Sequence, residues 1–93
     1  MELPVDYDKL KQWQRRLVRL EYIRLQGGKC YHCKKPLDGP AAKKILKKKL
    51  NRKMFPKGFL DWPVHLHHDH NTGLTIGAVH CYCNAVLWQY HGQ

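Results

Sequence analysis

The chain has 93 residues, four cysteines and a formal net charge of +10, from 17 Lys and Arg against 7 Asp and Glu. That length fits one domain, with an apolar core small enough that a metal staple would add stability that burial alone does not supply. No run approaches the roughly 18 apolar residues of a membrane span, no secretory leader pattern opens the chain, and the excess of base over acid points to a polyanionic partner, nucleic acid foremost.

In chain order, Leu10, Trp13, Leu17, Leu20 and Ile23 recur at intervals of three or four, which predicts an amphipathic helix over residues 6–27. Asp6 or Asp8 caps its start and Gly27-Gly28 ends it. Its other face carries Lys9, Lys11, Arg15, Arg16 and Arg19, which meet either phosphates or solvent. Residues 28–37 then form a tight loop around Cys30 and Cys33, similar to a zinc knuckle. Pro40 opens a second helix over residues 40–55, with Ile45, Leu46, Leu50 and Met54 on one side and lysines elsewhere. No acidic residue occurs between Asp38 and Asp61, so Lys43, Lys44, Lys47, Lys48, Arg52 and Lys53 are candidate DNA contacts. A strand from Leu60 to Leu66, a hairpin connection at Asn71-Thr72-Gly73, a return strand from Leu74 to Val79 and a last helix from about Tyr82 to Tyr90 complete residues 60–90. Trp13, Trp62 and Trp88 read as packing residues, and His32, His65 and His91 as surface histidines.

The chemistry concentrates in His67-His68-Asp69-His70-Asn71-Thr72-Gly73 and His80-Cys81-Tyr82-Cys83-Asn84. Imidazoles, a carboxylate and a carboxamide can hold a divalent ion beside a free base. The four cysteines fall in two close pairs, which favours a reduced, metal-bound state over disulfides. Cys30 and Cys33 combine with Cys83 and one more donor in a structural zinc site. A two-residue gap lets His80 converge with Cys83, and Cys81 is the alternative fourth ligand. A competing use of the histidines is a second structural zinc held by His67 and His70.

Knuckle, strand, His-rich turn, strand and helix together resemble the HNH nucleases, also known as the ββα-metal or His-Me finger class, and within it the endonuclease VII branch typical of bacteriophages. The likeness covers Cys30 to about Trp88 and is strongest from Leu66 to Asn84. That branch runs Asp-His-Asp-His, two residues, Gly, a strand, then Cys-x-x-Cys-Asn. Here His67 stands in place of the first Asp, and His80 in place of the first Cys, with Cys81 shifted by one. The likeness implies an α+β fold: a small zinc-stabilised ββα-metal domain over residues 1–93, with an N-terminal helix and a basic helix inserted before the ββα unit.

It also implies roles. His68 is the general base, and His67 and Asn84 hold one catalytic divalent ion, Mg, Mn, Ni, Co or Zn, with imidazole-tolerant ions favoured. Asp69 orients an imidazole or touches the metal, and His70 contacts the scissile phosphate or the metal. The expected activity is hydrolysis of phosphodiester bonds in double-stranded DNA by a one-metal mechanism, leaving a 5′ phosphate and a 3′ hydroxyl. The expected setting is the cytoplasm of a bacterial host, as monomer or dimer, alongside other phage DNA-processing proteins. The rivals are a non-catalytic zinc-containing DNA-binding module and a resolvase of branched DNA.

Overall fold

The computed structural model describes residues 1–92; Gln93, inside the expected single-domain span, lies outside the described residues. The first expected helix divides. The Asp6 carboxylate accepts the N–H of Asp8 at 3.1 Å and starts a single 3-10 turn, Tyr7–Lys9. Leu10 and Lys11 are extended, and α1 then runs Gln12–Leu25, with the Gln14 side chain accepting the N–H of Lys11 at 2.8 Å. Gly27 and Gly28, at φ 65° and 77°, turn the chain away as expected.

The buried face of α1 differs from the periodic stripe. Val18 is its buried residue and Tyr22 and Ile23 pack against the core, whereas Trp13, Leu17 and Leu20 are 61%, 48% and 49% exposed. At about 100° per residue, Val18 and Tyr22 lie on the side of the helix away from that stripe. Polar reach decides the orientation. The Tyr22 hydroxyl bonds Thr75 Oγ1 at 2.8 Å. The Gln26 side chain pairs with Ala78 like a strand residue, donating to its carbonyl at 2.9 Å and accepting its N–H at 2.9 Å. Gly77 permits this approach, because a Cβ there would sit 2.8 Å from Gln26 Oε1 and 3.1 Å from Tyr31 Cβ.

In the second segment, the expected helix over 40–55 is reduced to one turn, α2 (Lys43–Leu46), and a 3-10 turn, Arg52–Met54. Ala41, Ala42 and Ile45 are buried, but past Leu46 the backbone is claimed by the last helix. Tyr90 Oη and Gln89 Nε2 donate to the Lys49 carbonyl at 2.6 and 3.0 Å, and Gln89 Oε1 accepts the Asn51 N–H at 2.7 Å. These bonds, with Asn51 capping the 3-10 turn at 3.2 Å, replace the helical ladder.

The hairpin consists of β1 (Val64–His68) and β2 (Thr75–His80), antiparallel, with Val64 opposite His80 and His67 opposite Gly77. The first strand thus starts later than Leu60 and itself carries His67 and His68. Pairing then shifts so that His68 faces Thr75, which leaves Ile76 as an extra residue in β2. Such a bulge re-aims neighbouring side chains. The N-terminal arm adds to the start of β2 through Thr75 N–H to Val5 O (2.9 Å) and Tyr7 N–H to Gly73 O (2.8 Å). The final helix, α3 (Cys81–His91), buries Cys83, Ala85, Val86 and Leu87. The core gathers Cys30, Leu37, Ile45, Ala78, Val79, Cys83 and Val86 between the knuckle, α2, β2 and α3. Small size, one two-stranded sheet and flanking helices make this an α+β fold. No helix among the described residues is long and apolar enough to cross a membrane.

Candidate functional site

The knuckle is tied by bridge pairing of Lys29 with Pro36 and by the Cys30 N–H to Lys35 O bond at 2.8 Å. The Tyr31 N–H donates to Ala78 O at 3.0 Å, which docks it on β2. The donor atoms of Cys30, Cys33, His80 and Cys83 consequently lie within 4.8 Å of one another. His80 Nδ1 is 3.4 Å from Cys33 Sγ and 3.7 Å from Cys83 Sγ. Neighbouring nitrogen and sulfur ligands on a tetrahedral zinc are about 3.6 Å apart, so this Cys3His set can hold a structural zinc.

Its surroundings fit that use. Pro36 O lies 2.8 Å from His80 Nε2, and a carbonyl can only accept, so Nε2 carries the proton and Nδ1 keeps its lone pair toward the thiols. Cys30 Sγ receives the N–H groups of His32 and Cys33 at 3.4 and 3.5 Å. The Cys83 thiol and these backbone donors pull Cys30 down to about 4, against burial. Cys83 is pushed up by the same Cys30 contact and by burial. The opposite shifts of Cys30 and Cys83 reflect two close thiols competing for one negative charge, a repulsion that a cation among them would relieve. Cys81 stands outside the set, with its Sγ directed to Leu60 O at 3.8 Å, so His80 takes the fourth place.

Beside the hairpin, Asn84 in the first turn of α3 reaches back to β1. Its Oδ1 lies 3.2 Å from His67 Nδ1 and its Nδ2 3.1 Å from His65 Nδ1. Burial holds His65 below its ordinary value, against a backbone contact with Phe59. A neutral His65 with a bare Nδ1 accepts from Nδ2, and this turns the carboxamide oxygen toward His67. Two neighbouring ligands on one ion with bonds of about 2.1 Å are about 3 Å apart, so Oδ1 and Nδ1 stand at a ligand-pair spacing. His67 is 2% exposed.

His68, past the bulge, lines an open cleft of about 490 Å3. Tyr7 stacks on its face, with centroids 3.9 Å apart and planes 6° apart, and the Arg15 guanidinium sits 4.0 Å from the Tyr7 centroid. Stacking engages the ring face, and His68 still lines the cleft. Desolvation, then the nearby His70, keep His68 below its ordinary value, although Asp8 acts the other way. His70 is 4.9 Å from His68, ring to ring, and 5.9 Å from Trp88. The Asp69 carboxylate, by contrast, accepts the N–H groups of Asn71 and Thr72 at 2.7 and 3.1 Å, which hold it below the usual range and spend it on the turn.

Sequence reading missed several neighbours. His65 is in the cluster rather than on the surface, and its place two residues before His67 on the same strand face was the available signal. Tyr7 and Arg15 come from the N-terminal arm and α1, with no local motif to mark them. Trp88 packs against Phe55 and Phe59, whereas Trp13 and Trp62 are 61% and 74% exposed. None of Lys43, Lys44, Lys47, Lys48, Arg52 and Lys53 lines the cleft, whose cations are Arg15, Arg19 and Lys57. Apart from the Cys3His set, no group of three or more His, Cys, Asp or Glu donors converges among the described residues, which leaves a zinc on His67 and His70 without further ligands of those types. Comparison with protein-family models, with curated proteins and with solved structures finds no match to this chain.

Proposed function

We propose that the chain is a divalent-metal-dependent DNA endonuclease of the ββα-metal class, with a structural zinc on Cys30, Cys33, His80 and Cys83. The observation that carries this reading is the Asn84 Oδ1 to His67 Nδ1 contact at 3.2 Å, next in sequence to an imidazole that faces a cationic cleft. Asn84 and His67 would hold the ion, which when bound supplies positive charge at the scissile phosphate. His68 accepts the proton of the attacking water, and its depressed basicity keeps it neutral and competent at physiological pH. The water oxygen forms the new bond to phosphorus, the bond to the 3′ oxygen breaks, and that oxygen takes a proton from solvent. Arg15 and Arg19 attract the phosphates on either side, which is consistent with a net charge of +10. In this reading Asp69 shapes the turn, and His70, which lines the cleft, meets a phosphate oxygen.

Incubation with supercoiled plasmid in Mg, Mn, Co or Ni tests the proposal. Nicked circles are expected with at least one ion, and His68→Ala lowers the rate by about 10²- to 10⁴-fold, the usual share of a general base. No nicking in every metal, or full activity in His68→Ala, would sink it.

A further inference from the structure

Two indoles, Trp13 and Trp62, are largely exposed, and both border grooves that adjoin the candidate site. The cleft containing His68 and Asn84 shares Gln12, Arg19, Trp62 and Val64 with a second groove that continues to Trp13 and Arg16. No Asp or Glu lines either one. A single trough thus runs from the histidines past Arg19 and Trp62 to Arg16 and Trp13, with guanidinium and indole side chains in company along its length.

We propose that this trough binds an unpaired DNA strand leading into the cleavage site, so that the substrate is DNA with a single-stranded segment beside the scissile phosphate. The inference deepens the nuclease reading and rests on it for what happens at His68. Paired bases keep their faces stacked inside the duplex and offer a groove only edges and phosphates. An unpaired base presents its π-face, which an exposed indole can stack on while adjacent arginines take the phosphates. Indoles left 61% and 74% exposed on a highly cationic chain match that ligand better than they match an apolar protein surface. The lysines of residues 43–53 lie outside this path, and on this account they add general attraction only.

Fluorescence anisotropy without added divalent ion compares a labelled 12-mer single strand with the blunt duplex of the same sequence. The single strand is expected to bind more tightly and to quench tryptophan emission. Trp62→Ala and Trp13→Ala each weaken strand binding roughly ten-fold or more, the usual worth of one stacked base, and change duplex binding less than about two-fold. Trp62→Phe restores most of the loss. Both positions are exposed, and unchanged melting curves verify the fold. Equal affinity for strand and duplex, or Trp variants that bind the strand like wild type, overturns the proposal. So does sedimentation showing that the two variants only dissociate a self-associated form, which would make the patch a protein contact. Strand-selective binding without cleavage in any metal leaves the trough standing and removes the nuclease reading; duplex nicking unaffected by the Trp variants does the reverse.

Discussion

Substituting Cys83 with alanine separates a metal-held core from an ordinary one. Cys83 is fully buried and Cys30 is 1% exposed, both within the central hydrophobic cluster. If the thiols were only small apolar residues, deleting one sulfur would cost about 1–2 kcal/mol, as for loss of a single buried heavy atom. At about 4–8 °C per kcal/mol for a domain of this size, the melting temperature would fall by about 16 °C at most. A structural zinc predicts far more. Such ions contribute on the order of 10–16 kcal/mol in zinc-finger peptides, comparable to the whole stability of a typical domain, about 5–15 kcal/mol. Cys83→Ala should then lack a cooperative melt by circular dichroism and retain no zinc by elemental analysis, and excess chelator should unfold the wild type. Cys81→Ser, which removes a half-buried thiol outside the set, should keep one zinc per chain and melt within a few degrees of wild type. A cooperative Cys83→Ala melt within that 16 °C, together with a chelator-insensitive wild type, would refute the metal-held core.

Three other outcomes follow from the same geometry. His65→Leu removes the acceptor that orients the Asn84 carboxamide and should lower activity by about 10- to 100-fold, the usual effect of losing a ligand's hydrogen-bond partner, with the zinc content unchanged; His65→Asn should recover part of the loss. The pH profile of cleavage should rise with a midpoint below 6.5, because the base acts in its neutral form and desolvation lowers its pKa; a midpoint above 7 would contradict the placement of His68. Gly77→Ala puts a Cβ 2.8 Å from Gln26 Oε1 and should destabilise by about 1–3 kcal/mol in chemical denaturation, whereas a neutral result would mean that the Gln26 to Ala78 pairing is dispensable.

What could be read from the sequence follows the range of the interactions involved. The hairpin, the last helix and the two ligand pairs Cys30–Cys33 and His80–Cys83 depend on close spacing, and the spacing is enough to find them; the two pairs meet across 47 residues, and their matching donor types are what link them in the sequence. The direction of α1 was not, since Gln26 and Tyr22 select the face by reaching Ala78 and Thr75, more than fifty residues away in the chain. The helix over 40–55 failed for a related reason, because Gln89 and Tyr90 take backbone groups that a helix would have used internally. Tyr7 over His68 depends on the arm pairing with residues 73–75, and nothing near Tyr7 in sequence announces it. Trp13 and Trp62 are exposed although a large apolar side chain is more often inside than out, so residue type alone points the wrong way for them.

The central claim, that His68 acts as the base beside an ion held by His67 and Asn84, is tested most directly by single-turnover cleavage of an end-labelled oligonucleotide with His68→Gly, with and without added imidazole. The account predicts that this variant is nearly inactive, that imidazole restores cleavage at the same bond with a 5′ phosphate product, and that Asn84→Ala is not restored. Undiminished cleavage by His68→Gly, or equal rescue of Asn84→Ala, would contradict it.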